Sequence, residues 1–326
     1  MRLLLFLAVA ASSQAQPFEL KPNDVIALTG GSNIERTRFN GYLQTSLIAS
    51  KPELKLKVRN FGWEGDTVFE QWRDGGQVEK LDPKRAAAER RIQAETGTDS
   101  WRQQRDWRQQ LKEVGATVVI AQFGQMESLN GVEKLPQFIE AYEKLIAEFA
   151  DEGRRVVLVA PVPIVGRLAG HAGDLTAYTK GISDLAKKLK LPFIANALAF
   201  PYSKMPSIQP LTDNGYQLND EGHSNQAWSI VKGLGLTPLK NSTDTEPIRA
   251  AVLEFERLWF DYWRPMNWAF LTGDRTNVPY SKDWKDSTKR IFPQEMEDLC
   301  RLLDQAEKNI WGAIEGKPMT PIGVRS

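Results

Sequence analysis

The pattern of apolar positions divides the chain into short strand-like runs separated by longer stretches with helical spacing. The runs are apolar at nearly every position and cover residues 25–28, 56–61, 117–123, 156–161 and 193–197. Apolar residues recur every three to four positions at 42–48, 138–149 and 175–189. Strands that are apolar on both faces and alternate with helices are typical of a parallel sheet covered on both sides. The sequence therefore predicts an α/β fold, a three-layer α/β/α sandwich around a five-stranded parallel sheet.

Two further segments depart from this alternation. Residues 83–115 are rich in Arg, Gln and Glu and contain no strand-like run, which predicts a helical insertion between the second and third strands. We expect its charged residues to form a solvated helix face, with a ligand-binding lid as the alternative. Residues 240–326 have helical apolar spacing at 248–263 and 294–314, around an aromatic, turn-rich stretch. Two helices with so much aromatic surface would be poorly stable alone in water. We therefore expect this helical extension to pack on the main domain, residues 16–239.

The N-terminus has the features of an export signal. One basic residue, Arg2, precedes a short apolar run, and the small residues Ser13 and Ala15 precede the expected cleavage site. The run is much shorter than the roughly 20 residues that span a bilayer, so cleavage of a signal peptide at residues 1–15 is favoured over a membrane anchor. We therefore expect the mature protein in the periplasm or the medium, without a membrane attachment.

The composition argues against several classes of function. The 42 basic and 41 acidic residues give a net charge of +1, so no global field favours nucleic acid or an anionic membrane. The glycine pair at 30–31 lacks the further spaced glycines of a nucleotide-binding motif. The two histidines are far apart, so the sequence predicts no metal site and no cofactor. The single cysteine, Cys300, lies among leucines and is predicted to be a buried structural thiol.

Candidate chemistry is concentrated where the predicted strands end, because ligands of such sheets bind at the carboxyl ends of strands. The first of these ends carries the sequence LTGGS, which places Ser32 on a strand-to-helix turn. The helix N–H groups behind such a turn can share negative charge that develops on a substrate. Ser32 is therefore a candidate nucleophile. The alternative is that Ser32 and Asn33 only cap the next helix.

Four short blocks at these strand ends resemble, in their order and spacing, the SGNH (GDSL-type) hydrolase superfamily. They are GGSN at 30–33, NFGWEGDT at 60–67, GQME at 124–127, and NGYQLN at 214–219 followed by Gly222. The RPMNW sequence at 264–268 is similar to a divergent exported bacterial branch of this superfamily. The resemblance implies a flavodoxin-like sheet and a serine ester hydrolase that needs no cofactor and acts on small acyl esters or acetylated carbohydrate. By the same resemblance, Ser32 matches the nucleophile, and Gly65 matches the glycine whose backbone N–H binds the oxyanion.

Other positions depart from the pattern of the superfamily. Met126 replaces an asparagine whose amide donates to the oxyanion, and Gln125 is the adjacent amide that is a candidate to compensate. Gln217 replaces the catalytic histidine, and a glutamine cannot accept the serine proton. Asn214 replaces the orienting aspartate, with Asp213 beside it. The catalytic blocks are therefore degenerate. Losing a general base costs about 10²–10⁴ in rate and losing an oxyanion donor about 10²–10³, so these replacements are expected to lower turnover strongly.

Other residues have alternative roles. His223 follows Asp220 with D-x-x-H spacing and is a candidate substitute base, or else a polar residue at the start of a helix without a catalytic role. His171 lies in a glycine-rich loop and is expected to face solvent. Asp66 and Glu127 are both expected near the strand ends, where the pair is a candidate weak calcium or magnesium site. Capping of a helix is the simpler role for Asp66.

Two functions follow from these patterns. The first is an exported serine ester hydrolase of SGNH type that uses Ser32. The second is a catalytically weakened relative that binds a glycan or a protein partner through the same cleft, which Met126 and Gln217 favour. Four tryptophans provide faces that stack on sugars or else fill the core: Trp63, Trp72, Trp101 and Trp107. The sequence carries no signal for a particular oligomeric state.

Overall fold

Parallel β-strands form the central sheet of the protein. The computed structural model describes residues 18–71, 87, 106–195, 211–239, 242–266, 268–271 and 275–323. Within these residues the strands are β1 (Val25–Gly30), β2 (Lys57–Asn60), β3 (Val118–Gln122), β4 (Arg155–Val159) and β5 (Phe193–Ile194). Every pairing is parallel, and the strand order is β2-β1-β3-β4-β5. This confirms the predicted α/β class and the five-stranded parallel sheet.

Helices cover both faces of this sheet. In the described ranges they are α1 (Ser32–Glu35), α2 (Tyr42–Ala49), α3 (Trp107–Glu113), α4 (Leu135–Phe149), α5 (Ala172–Leu189), α6 (Asp220–Gly233), α7 (Glu246–Trp263), α8 (Trp268–Leu271) and α9 (Ile291–Ile314). Short 3₁₀ turns lie at Arg36–Phe39, Pro52–Leu54, Glu127–Asn130, Val132–Lys134, Asp151–Gly153, Gly166–His171 and Pro279–Ser281. The strand order reverses its direction at β1, so right-handed connections place α2 on one face and α4 and α5 on the other. Accordingly, α2 packs against α6 and α7, whereas α4 packs against α5.

The apolar pattern explains why these elements form. The central strands β1 and β3 are buried almost throughout, as their continuous apolar sequence requires. In α4 the buried residues recur every three to four positions: Phe138, Tyr142, Leu145, Ile146 and Phe149. Each fully buried Phe, Leu or Ile contributes about 1.5–3 kcal/mol relative to exposure. This one helix therefore fixes much of its layer.

The insertion predicted at 83–115 lies largely outside the described residues. Its last part, 106–115, contains α3 and no strand. Asp106 caps this helix, because its carboxylate accepts a hydrogen bond from the backbone N–H of Arg108 at 2.8 Å. The segment that leads into β3 is thus helical, in agreement with the prediction for these residues.

One of the four tryptophans belongs to the core. Trp107 is 2% exposed, and its ring meets that of Phe149 edge-on at 5.1 Å between centres. Trp107 therefore offers no face to a sugar. Trp72 and Trp101 lie outside the described residues, and the ring of Trp63 lies against the guanidinium of Arg264.

The C-terminal helices α7 and α9 pack on each other, and both contact β2. Trp259 of α7 donates through Nε1 to the carbonyl of Asn60 at 2.8 Å, where β2 ends. Arg59 of β2 donates to both carboxylate oxygens of Glu307 in α9, at 3.1 and 2.9 Å. A buried indole and a bidentate ion pair thus join the extension to the sheet. The limits of the two units, 16–239 and 240–326, stay predictions.

Glu256 of α7 is buried in this interface. The residue is 1% exposed, and within the described residues its Oε2 atom has no hydrogen-bond partner. The Oε1 atom of Gln44 in α2 also lacks one. Burial raises the pKa of Glu256 from 4.5 to about 7, although Arg59, Asn60 and Gln44 favour the charged form. A large fraction of the folded molecules therefore carries a proton here at neutral pH.

The prediction of a buried Cys300 is wrong, because this residue is exposed. The buried face of α9 includes Leu303, Ala306 and Ile310, and it points toward α7. Leu299 also packs against the core. Cys300 is about 100° further round the helix than Leu299, which places it on the solvent side.

The limits of β1 to β4 differ from the predicted runs by at most two residues. The last run, 193–197, is a strand only at 193–194, and residues 196 and 197 lie outside the described ranges. The predicted signal peptide at 1–15 lies outside them as well. None of the helices described here combines the length and the apolar character needed to span a bilayer.

Candidate functional site

Ser32 lies just beyond the carboxyl end of β1, as the first residue of α1. Gly30 ends the strand with a φ of +152°, and a Cβ atom at this position would lie 2.5 Å from the carbonyl oxygen of Gln122. The strand has to end in glycine because the backbone of β3 lies against it. The N-cap of α1 is Gly31, so neither Ser32 nor Asn33 occupies the cap position. The alternative in which Ser32 and Asn33 serve only as caps is therefore wrong.

Ser32 lines a depression at the carboxyl edge of the sheet. The residue is half-buried, and the depression is partly open to solvent and has a cavity volume of about 30 Å³. The other lining residues come from the ends of four strands: Gly31, Asn33, Asp66, Gln122, Phe123, Gly124, Gln125, Met126, Glu127, Pro161 and Val162. Among the described residues, none hydrogen-bonds to the hydroxyl. A ligand can therefore reach it, and within the described residues no base is hydrogen-bonded to it for its activation.

Asn33 connects three of the four sequence blocks. Its Nδ2 donates to Oε1 of Gln125 at 3.0 Å and to the carbonyl of Tyr216 at 2.9 Å. Its Oδ1 accepts from the backbone N–H of Leu218 at 2.9 Å. The amide of Gln125 donates to the carbonyls of Val162 and Tyr216 at 3.0 and 2.9 Å. Two neutral side chains thus hold the first, third and fourth blocks together.

These contacts bear on the candidate oxyanion donors. Both N–H groups of the Gln125 amide are already donated to carbonyls, so this side chain offers none to an oxyanion while the loops keep this arrangement. Met126 is 41% exposed and carries no donor. The third block therefore supplies no free side-chain amide at the depression.

The second block forms a turn in which two glycines have different roles. A Cβ atom at Gly62 would lie 2.5 Å from the backbone nitrogen of Glu35, so this turn touches α1 directly. Gly65 has a φ of +88° and no atom within 4 Å of an added Cβ, so its backbone conformation alone requires glycine. In the described part of the chain no acceptor binds the Gly65 N–H. Asp66, the next residue, lines the depression, whereas Gly65 lies outside its lining.

The side chains of Asn214 and Gln217 are in direct contact. Nδ2 of Asn214 donates to Oε1 of Gln217 at 2.8 Å, and Oδ1 of Asn214 accepts from the backbone N–H of Gln217 at 2.9 Å. A carboxylate and an imidazole at these positions would lie side by side, but both side chains here are amides that do not titrate. Asp213 is exposed and lies 3.7 Å from Nη2 of Arg36, which is a weak surface ion pair.

Neither histidine is held against Ser32. His223 lies in the first turn of α6, is 4% exposed, and has no hydrogen-bond partner for either ring nitrogen among the described residues. Gln226 is close enough to raise its pKa slightly, but does not form a well-aligned hydrogen bond with the ring. Burial, with a smaller effect of Arg36, lowers the pKa of His223 to about 4, so the ring is neutral at physiological pH. His171 lies in the turn after β4 with its side chain 43% exposed.

Glu127 is a buried carboxyl that lines the depression. Its two oxygens accept from the backbone N–H groups of Val68 and Gly124, both at 2.9 Å. Burial raises the pKa of Glu127, although these hydrogen bonds favour the charged form. Asp66 is also buried, and it directly follows the turn at 64–65. The capping role expected for it stays a prediction. In the part of the chain that the structure covers, no three or more acidic, His or Cys side chains are grouped to hold a metal ion.

Sequence reasoning missed two residues that shape this site. It considered Asn33 only as a helix cap, although an amide directly after the candidate serine was a usable signal for a role at the site. It also assigned no role to Arg264 of the RPMNW sequence, which contacts Gly62 and Glu35. Those partners are 202 and 229 residues away in the chain, and no local pattern indicates such contacts.

No family model and no curated protein sequence matches the chain. One solved structure with partial similarity is the acetylxylan esterase Axe2 from Geobacillus stearothermophilus. It is 16% identical, with a TM-score of 0.48 over 69% of this chain and 100% of that chain. Another is BT4096, described as a gut microbial diltiazem-metabolizing enzyme. It is 15% identical, with a TM-score of 0.48 over 68% of this chain and 49% of that chain.

Proposed function

We propose that this is an ester-hydrolase-like protein of SGNH type whose Ser32 depression binds the acyl group of a small ester or an acetylated carbohydrate. Its turnover is far below that of a complete catalytic triad. The observation that carries the proposal is the contact between Asn214 and Gln217. Their side chains meet at 2.8 Å, as the acid and the imidazole of a triad do, yet neither can accept a proton.

The remaining groups at the depression favour binding over turnover. Ser32 supplies a hydroxyl at its wall. The N–H of Gly65 lies outside the lining, next to the lining residue Asp66, and it has no acceptor among the described residues, so it is free to donate to a carbonyl oxygen of a ligand that extends beyond the depression. Phe123 and Val162 give the lining an apolar part that suits a methyl or short alkyl group. Without a base, the serine proton passes to water during attack, which slows acyl transfer by about 10²–10⁴.

Binding and turnover are tested separately. In saturation-transfer NMR with an O-acetylated monosaccharide, we expect saturation to pass from the protein to the acetyl methyl group of the sugar. We expect this both for the wild type and for Ser32→Ala. Ser32→Trp fills the depression and abolishes this effect, while Ser183→Trp, a matched change on α5 outside the depression, does not. With p-nitrophenyl acetate, the wild type is expected to stay within about tenfold of Ser32→Ala.

Two results would contradict the proposal. Acetyl saturation that survives Ser32→Trp in a folded protein places the ligand elsewhere. Ser32-dependent hydrolysis with a kcat in the usual enzymatic range of about 1–10³ s⁻¹ shows that catalysis does not need the missing base.

The predicted signal at residues 1–15 extends the proposal to a place of action outside the cytoplasm. N-terminal sequencing of the protein recovered from expressing bacteria tests this part. We expect a mature chain that begins near residue 16, and a major product that still begins at Met1 contradicts the expectation.

A further inference from the structure

An arginine of the C-terminal extension contacts both elements that carry the candidate catalytic groups. Arg264 directly follows α7, and its side chain is 13% exposed. Its Nη2 donates to the carbonyl of Gly62, and its Nη1 donates to Oε1 of Glu35 at 3.3 Å. Gly62 lies in the turn that carries Gly65, and Glu35 is the last residue of the helix that begins at Ser32. One guanidinium therefore joins this turn to this helix.

Aromatic rings fix the position of this guanidinium. Its central carbon lies 3.9 Å from the centre of the Trp63 ring and 4.6 Å from that of Phe260. Stacking of this kind orients the planar guanidinium group, so that the side chain loses less conformational entropy when its hydrogen bonds form. The backbone N–H of Trp63 donates to the carbonyl of Gly30 at 3.0 Å, which ties the same turn to the end of β1. One face of Trp63, a candidate for sugar stacking, is thus occupied by Arg264.

The charges around Arg264 are also buried. Glu35 is 4% exposed, and its Oε1 accepts from Nε of Arg38 at 2.6 Å as well as from Arg264. Burial lowers the pKa of Arg264 to about 10, a change that Arg38 adds to and that Glu35 and Asp66 oppose. Arg264 therefore keeps its charge at neutral pH. Removing it leaves the carboxylate of Glu35 buried with one partner fewer.

We propose that Arg264 is a positioning residue for the Ser32 site and sets the distance between the Ser32 hydroxyl and the Gly65 N–H. This inference rests on the proposed function, in which these two groups share one ligand. A second anchor, the hydrogen bond from Trp259 to the Asn60 carbonyl, holds α7 against the beginning of the same turn. The C-terminal extension is then a part of the site.

Arg264→Lys tests the role of the planar guanidinium group. A lysine keeps the charge, but its single ammonium group cannot span Gly62 and Glu35 as a guanidinium does. Arg257→Lys is the matched control within α7, because the Arg257 side chain is 57% exposed and pairs there with Glu254 and Asp261.

The first readout is amide hydrogen exchange, measured by mass spectrometry on peptides that cover residues 60–68. We expect exchange in this turn to be at least about tenfold faster in Arg264→Lys, with β4 unchanged, because a turn that loses its anchor opens locally. Arg257→Lys is expected to match the wild type in both regions. This readout does not depend on activity.

The second readout is the dissociation constant for the O-acetylated monosaccharide, measured at a temperature at which all variants are folded. We expect this constant to rise by about tenfold in Arg264→Lys and to stay unchanged in Arg257→Lys. A ligand that contacts both the Ser32 hydroxyl and the Gly65 N–H binds more weakly when the distance between these groups changes. Unchanged exchange in the turn overturns the inference, and so does faster exchange with unchanged affinity. A wild type that binds no acetyl ester contradicts the proposed function itself, and the inference falls with it.

Discussion

A variant that combines Gln217→His, Asn214→Asp and Met126→Asn is expected to hydrolyse p-nitrophenyl acetate at least about 100-fold faster than the wild type. The side chains of Asn214 and Gln217 already meet at 2.8 Å, so a carboxylate and an imidazole at these positions are placed to hydrogen-bond. An amide at position 126 supplies a donor where the exposed thioether of Met126 supplies none. A base contributes about 10²–10⁴ and an oxyanion donor about 10²–10³, but groups that act together do not multiply.

Values of kcat/KM between pH 5 and 9 provide the measurement. The gain should disappear when Ser32→Ala is added, and it should be absent from a matched variant that carries Gln217→Asn in place of Gln217→His. Activity should rise with pH near the ordinary imidazole pKa of about 6.5. Labelling of Ser32 by a fluorophosphonate should follow the same pattern. A folded triple variant without Ser32-dependent gain would mean that position 217 does not face the serine, and the proposed resemblance of the site would fail.

Glu256→Gln is expected to make the protein progressively more stable than the wild type as the pH rises from about 4.5 to 7. Burial raises the pKa of Glu256 from 4.5 to about 7 in the folded state. Between these values the folded state keeps a proton that the unfolded state has released, so the stability of the wild type falls as the pH rises and the loss is complete above about pH 7. A glutamine keeps the shape of the acid without this titration. Since one pKa unit corresponds to about 1.4 kcal/mol, the effect amounts to about 3 kcal/mol.

Urea unfolding at a series of pH values between 4 and 8 measures this effect as the difference in free energy of unfolding between variant and wild type. Other titrating groups cancel in that difference. Glu254→Gln is the control, because the Glu254 side chain is 31% exposed and pairs with Arg257 near solvent. A difference between Glu256→Gln and the wild type that stays constant over the whole pH range would mean that the carboxyl is charged in the folded protein.

The sheet could be predicted because a strand that is buried on both faces has apolar residues at nearly every position. This holds for β1, β3 and β4, whose apolar runs match the observed strands closely. For β5, Phe193 and Ile194 pair with β4 within the described residues, and a strand this short depends on a neighbour that local sequence does not specify. The exposure of Cys300 was missed for a related reason. Which side of α9 is buried depends on where α7 lies, and leucines beside the cysteine do not determine it.

The site could be predicted only as far as its backbone. Strand ends and glycines located Ser32 and the turn around Gly65, because both depend on local geometry. The role of Gln125 could not be predicted, since an amide that donates to an oxyanion and one that ties loops together have the same chemistry. Its partner, the carbonyl of Tyr216, is 91 residues away. Asn33 reaches the same carbonyl across 183 residues.

The contact between Arg264 and Glu35 spans 229 residues of the chain, and this affects how the protein matures during translation. Strands of the sheet leave the ribosome and can collapse well before the last quarter of the polypeptide is made. Until α7 emerges, the turn at Gly62 lacks its guanidinium and its indole anchor. A nascent chain, or one that stops before α7, would carry the sandwich with an unfinished ligand site, and competence to bind would begin only once α7 and Arg264 have emerged.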